Sequence, residues 1–167
     1  MFARPNCQHS QIAYVTSDMD EALRQFDQEY GVSAFHVFEN NAPELEQSDT
    51  AKLKIALAIV GGAEIELIEP LGSSAPLFSQ YLPDDGSFAI RFHHLAFRIN
   101  GSLADFEAHI ASIDPGRHPI IWQGNLGDMM RYAYTDERET LGHFVEHIWM
   151  HEDIYSQMRS AIPSFPA

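Results

Sequence analysis

Phe92-His93-His94-Leu95-Ala96-Phe97-Arg98-Ile99 is a short apolar run with a pair of histidines at its mouth. Its residues alternate. Leu95, Phe97 and Ile99 fall on one side, and His94, Ala96 and Arg98 on the other, which is the period of a strand with one packed face. A stretch near the N-terminus, His9-Ser10-Gln11-Ile12-Ala13-Tyr14-Val15, echoes it. One histidine at a strand start is usually a half-exposed polar residue. Two that open matching strands, each followed by a helix, point to a repeat.

Working outward, the same order of elements occurs twice. After residues 9–15, Ser17 or Asp18 can cap a helix whose Met19, Leu23, Phe26 and Tyr30 fall at helical spacing, and Gly31 stops it. Strands are expected over 32–39, 52–60 and 63–69, with Gly61-Gly62 as a hairpin signal and Pro70 as a stop. The polar stretch from Asn40 to Asp49 reads as a loop. Residues 71–91, rich in Gly, Ser, Pro and Asp, read as a connector, with room for a short helix over 76–81. The second round follows: the strand 92–99, a helix capped by Ser102 carrying Leu103, Phe106, Ile110 and Ile113, then strands over 119–123, 130–136 and 143–149. The tail, 150–167, shows a helical turn around 154–158 and receives no chemistry. The fold class is therefore α+β, built from one module over 8–70, a connector over 71–91 and a second module over 92–149, all sharing a single core.

The remaining bulk properties narrow the function. The chain has 167 residues, 45% of them hydrophobic, which is enough for a substantial core. A formal net charge of −14 repels phosphate backbones and anionic lipid, so nucleic acid and membrane surfaces are excluded as expected partners. Cys7 is the single cysteine, which rules out an internal disulfide and a thiolate metal cluster. No stretch has the apolar length of a membrane span and the N-terminus lacks a signal-peptide core, so a soluble, cytoplasmic protein is expected.

The strand parities mark a site. Ile65 and Leu67 share a face, leaving Glu66 on the opposite one; Glu146 lies with Phe144 and Ile148. With Ile12 and Tyr14, and Leu95, Phe97 and Ile99, turned to the helices, His9 and His94 face away. From His9 to Glu66 is 57 residues and from His94 to Glu146 is 52, so each module opens on a histidine and closes on a carboxylate set among apolar neighbours. Two histidines and one or two glutamates make a mixed N/O donor set that suits Zn, Fe, Co, Ni or Mn. His143 and His147 have the opposite parity to Glu146 and are expected to pack.

These residues carry a family resemblance. His9-x-x-Ile12-Ala13 followed by Ser17-Asp18-Met19-Asp20-Glu21-Ala22 resembles the opening of a vicinal oxygen chelate module, the group that includes glyoxalase I, methylmalonyl-CoA epimerase, extradiol dioxygenases and bleomycin resistance proteins. The likeness continues through Ile65-Glu66-Leu67-Ile68-Glu69-Pro70-Leu71-Gly72, His93-His94-Leu95-Ala96-Phe97 and Gly142-His143-Phe144-Val145-Glu146, and spans residues 9–149. It implies two tandem βαβββ modules that form a half-open, cup-shaped mixed β-sheet barrel with helices outside, holding one divalent metal on His9, Glu66, His94 and Glu146. It implies a small-molecule substrate and pairing into a homodimer. Gln11, Arg98 and Tyr134 would line the substrate pocket.

Ile65 to Gly72 is most similar to methylmalonyl-CoA epimerase. That enzyme places its base about sixteen residues ahead of the Glu66 position, where this chain has Thr50 beside Asp49. The expected activity is metal-assisted proton abstraction from an oxygen-chelating acid, thioester or keto compound by an epimerase, isomerase or lyase, with Glu146, Glu66 or Asp49 as the base. Two alternatives stay open: an Fe(II) extradiol dioxygenase on His9, His94 and Glu146, and a non-catalytic binding or resistance protein.

Overall fold

The computed structural model describes residues 5–41, 52–72 and 75–166. Its elements run in the order β1 (Cys7–Thr16), α1 (Met19–Tyr30), β2 (His36–Asn41), β3 (Lys52–Val60), β4 (Ala63–Pro70), α2 (Pro76–Ser79), β5 (Ile90–Ile99), α3 (Leu103–Ala111), β6 (Ile120–Leu126), β7 (Met130–Asp136), β8 (Phe144–Met150), α4 (Glu152–Ala161) and β9 (Ser164–Phe165). The fold is α+β, and β-α-β-β-β occurs twice along the chain. The backbone gathers into two compact units, one of residues 1–11 with 94–158 and the other of residues 12–93 with 159–167.

In the unit of residues 12–93 and 159–167, α1 packs its stripe of Met19, Ala22 and Phe26 on Ala56, Ala58 and Leu67. Both ends of this helix follow from its sequence. The Asp18 carboxylate accepts the Glu21 backbone N–H at 3.0 Å, and Asp20 and Glu21 sit in the first turn, where the helix dipole favours them. Gly31 closes the helix at φ 70, where an L-residue would pay roughly 1–2 kcal/mol. Strands β2, β3 and β4 form an antiparallel meander, with Leu57 opposite Glu66, and β9 adds a parallel strand to β3. The strand expected from Val32 begins only at His36. The Val32 N–H is spent on the helix cap, bonding the Phe26 carbonyl at 3.1 Å, and its side chain is buried in the α1 core. The loop expected over 40–49 lies largely outside the described residues.

In the unit of residues 1–11 and 94–158, the strand order is β1, β5, β8, β7, β6. The β5–β8 pairing is parallel and the others to the β6 edge are antiparallel, so the sheet is mixed. Helix α3 covers one face. Its Phe106 joins Ile99 and Trp149, with Cys7, Leu103 and Ile110 packed around them. Ser102 and Asp105 form a capping box at its start, each side chain serving the other's backbone N–H. Strand β6 runs on to Leu126, beyond the expected end at Gln123, because the tight turn falls at Gly127 (φ 55), and Leu126 pairs with Met130. The tail is more ordered than its sequence announces, folding as α4 and β9.

Candidate metal centre

The pleat of β5 decides what its histidines do. Ile99 belongs to the α3 face, so His94, Ala96 and Arg98 occupy the other one. The parallel register puts Ala96 beside Glu146, and the antiparallel register puts Tyr134 on the other side of Glu146. The outcome is a His94 Nε2 lying 3.4 Å from Glu146 Oε2, with His94 fully buried and Glu146 5% exposed.

Aromatic rings wall this pair. Tyr134 meets His94 edge-on at 5.1 Å between centroids, and Trp122 stacks on Tyr134 at 5.8 Å. Tyr132 lies edge-on to both Trp122 and Tyr134. Burial, and then the Glu146 carboxylate, push the Tyr132 phenol above its ordinary value, so it stays protonated and able to donate.

The pair fits a divalent ion. Two donors each roughly 2.1 Å from a tetrahedral ion stand roughly 3.4 Å apart, and one imidazole nitrogen with one carboxylate oxygen is a borderline donor set of the kind zinc and its neighbours take. Burying both groups would be costly without a partner for their lone pairs.

The other expected site residues are placed as follows. His9 is exposed, and its ring meets Phe97 edge-on at 5.6 Å. Phe97 is on the α3 side of β5, opposite His94. Cys7, two residues before His9, packs against the same α3 cluster. Thus the parity expected for His94 is the one observed, whereas His9 keeps company with the helix-facing set. Gln11 is buried. Glu66 lies in the other unit, 8% exposed; Ile65 and Leu67 pack toward α1, which leaves Glu66 on the opposite face of β4. Its neighbour Glu64 is buried with Oε2 3.7 Å from the Arg159 guanidinium. Asp49 lies outside the described residues. His93 stacks on Phe78 at 4.9 Å and places Nε2 3.1 Å from the Leu77 carbonyl, a packing role.

One buried pair has no full signature in the sequence. Beneath α3, His109 Nε2 and His147 Nδ1 lie 3.0 Å apart, and His147 Nε2 lies 3.3 Å from the Thr135 hydroxyl. The opposite parity of His147 signalled this face; the partner on α3 had no local signal. At the far end of the Glu146 face, Arg98, expected to line the substrate pocket, is covered by Glu152 and Tyr155 of α4, a segment to which the sequence reading gives no chemistry. A separate groove of ≈ 580 Å³, lined by Tyr14, Phe26, Tyr30, Phe88, Arg91 and Phe92 among others, has no histidine or carboxylate in its wall. Among the described residues no helix is long and apolar enough to cross a membrane.

Comparison with known proteins agrees with this architecture. Residues 10–134 match the family model described as the Glyoxalase/Bleomycin resistance protein/Dioxygenase superfamily, and the chain belongs to that family. Similar solved structures include a methylmalonyl-CoA epimerase from Mycobacterium tuberculosis, 14% identical, with 93% of this chain and 97% of that one covered at a TM-score of 0.58. A hypothetical protein from Bacillus halodurans C-125 is 19% identical, with 87% and 96% covered at a TM-score of 0.57. A methylmalonyl-CoA epimerase in complex with methylmalonyl-CoA and NH4+ is 16% identical, with 87% and 95% covered at a TM-score of 0.57. At these identities the likeness establishes the fold. No curated protein matches the chain.

Proposed function

We propose that this protein is a metal-dependent enzyme that removes a proton next to a carbonyl of a small oxygen-chelating acid, thioester or keto compound, as an epimerase, isomerase or lyase. The observation that carries the reading is the buried His94–Glu146 pair, 3.4 Å from nitrogen to oxygen, at a spacing suited to joint ligation. Family membership supports it, and so does the presence of methylmalonyl-CoA epimerases among the similar structures.

His94 and Glu146 would hold the metal. Glu66 completes the proposed donor set on the strength of the sequence repeat, as the counterpart of Glu146; His9, exposed and set against Phe97 on the α3 side, is left out of it. When bound, the ion would supply Lewis-acid stabilisation for negative charge developing on substrate oxygens. The chain's own residues do the rest. Glu146 is the base we favour, since its buried carboxylate sits 3.4 Å from His94 Nε2 inside a wall of aromatic rings. The Tyr132 phenol, kept neutral by burial and by Glu146, is a donor for substrate oxygen. Tyr134 and Trp122 fix the His94 imidazole from the side.

The test is elemental analysis of the purified protein, followed by NMR of α-proton exchange in D2O with a panel of 2-oxo acids and malonyl-type thioesters. About one divalent metal per chain and metal-dependent exchange are expected. Metal-free protein that exchanges at full rate would overturn the reading, and a ligand held tightly without exchange would mark a binding protein instead.

A further inference from the structure

Arg98 shares the β5 face of His94, two residues beyond Ala96, the neighbour of Glu146. Two residues along a strand span about 6.6 Å and four about 13 Å, so the Arg98 position on the strand lies within one small molecule's length of those of Glu146 and His94. Its surroundings are unusual for a structural ion pair. The Arg98 side chain is only 10% exposed, yet its carboxylate partner Glu152 is 73% exposed and accepts from Nη2 alone, at 2.6 Å. The Tyr155 ring covers the guanidinium at 3.6 Å from its centroid. The Nε–H is buried and has no hydrogen-bond partner among the described residues.

A guanidinium binds a carboxylate best through two parallel bonds from Nε and Nη2. Here one of those two donors is unserved among the described residues, and a buried donor left so carries a standing penalty. The other is held by a solvent-exposed glutamate, the weak class of ion pair. An incoming carboxylate that takes both donors gains more than Glu152 loses. The Tyr155 ring flattens the approach and keeps the guanidinium plane fixed.

We propose that Arg98 is the substrate's carboxylate anchor, and that Glu152 on α4 is an internal stand-in which the substrate displaces. The preferred substrates are then acids that carry a carboxylate distal to the oxygen pair bound at His94 and Glu146. This rests on the metal-site reading for the oxygen pair but not for the distal acid group. Arg98 acts as a specificity residue, and α4 as a latch over it.

Isothermal titration with 2-oxoglutarate and with 2-oxopentanoate, which lacks the distal carboxylate, tests the idea on the whole protein, with metal content measured in the same samples. Native protein should prefer 2-oxoglutarate by about tenfold or more, and Arg98→Met should abolish that preference without lowering metal content. Glu152→Ala should tighten 2-oxoglutarate by about two- to fivefold and leave 2-oxopentanoate unchanged, the range expected from removing an exposed competing pair. A purely structural Arg98–Glu152 latch predicts no tightening, and equal affinity for the two acids overturns the proposal even if Arg98→Met fails to fold. Protein that lacks metal yet still shows the Arg98-dependent preference refutes the metal reading and leaves the anchor standing.

Discussion

His94 Nε2 and Glu146 Oε2 lie 3.4 Å apart on neighbouring parallel strands, with His94 fully buried and Glu146 5% exposed. The contact is made by register: Ala96 pairs with Glu146, so His94 reaches it diagonally from the same face. If the pair serves a metal, removing either side chain should remove the ion. His94→Ala is expected to lower bound metal at least tenfold while the far-UV circular dichroism stays native. Elemental analysis after dialysis is the readout, and a full complement of metal in His94→Ala would exclude this histidine as a ligand.

Glu146 and Glu66 should differ. Glu146→Gln keeps the shape and loses the charge, so it should abolish proton exchange and also weaken metal binding. Glu66→Gln should weaken metal binding by about 10–100-fold if it is a ligand, the scale seen when a supporting donor is removed. If Glu66→Gln leaves metal affinity untouched, the sequence repeat has overstated its symmetry and Glu66 is a buried carboxylate of β4 only.

Tyr134 offers a way to separate packing from chemistry. Its ring is buried between His94 and Trp122. Tyr134→Phe retains that packing and should unfold within about 1 kcal/mol of the native protein, whereas Tyr134→Ala should lose about 3–5 kcal/mol to the cavity. Urea titration measures both. A fall in exchange rate in Tyr134→Phe, with stability held, would assign the hydroxyl a role at the substrate; an unchanged rate would leave Tyr134 as wall.

Much of this architecture could be read from local pattern because its causes are local. Helices α1 and α3 announce themselves through Asp18, Ser102 and Gly31 and through apolar spacing, and β4 through its alternation after the Gly61-Gly62 hairpin signal. Parity within one strand is also local, and it puts His94 with Arg98 on one face of β5 and Glu146 opposite His147 on β8. What alternation cannot supply is how one strand slides against the next. His9 illustrates it: its own strand permits the face expected for a ligand, but the packing of Cys7 and the ring contact with Phe97 set it with the α3-facing residues. Helix α4 shows in the sequence only as a helical turn, for a related reason. None of its residues is buried, so its sequence carries little apolar signal, and its place is set by distant partners such as Arg98. The delayed start of β2 reflects competition for one N–H, that of Val32, which the helix cap wins.

The last prediction concerns acid stability and arises on the α3 side. Burial, and then the neighbouring His109 and His118, hold the His147 imidazole down at about 3, far below the usual 6.5. The native state therefore keeps His147 neutral, bonded to His109 and near Thr135, while the unfolded chain takes up a proton below about 6.5. More protons bound by the unfolded state means that stability rises with pH. The contribution is complete above about pH 6.5, and it is lost progressively as pH falls from there toward about 3, by an amount on the order of a few kcal/mol. In His147→Gln this slope should flatten. The variant should also be about 1–3 kcal/mol less stable at pH 7.5, because His109 and Thr135 lose a buried partner. Urea midpoints at pH 4.5, 5.5, 6.5 and 7.5 for both proteins decide it: parallel pH profiles would show that the acid sensitivity resides elsewhere, and convergence of the two proteins toward low pH would place it on His147.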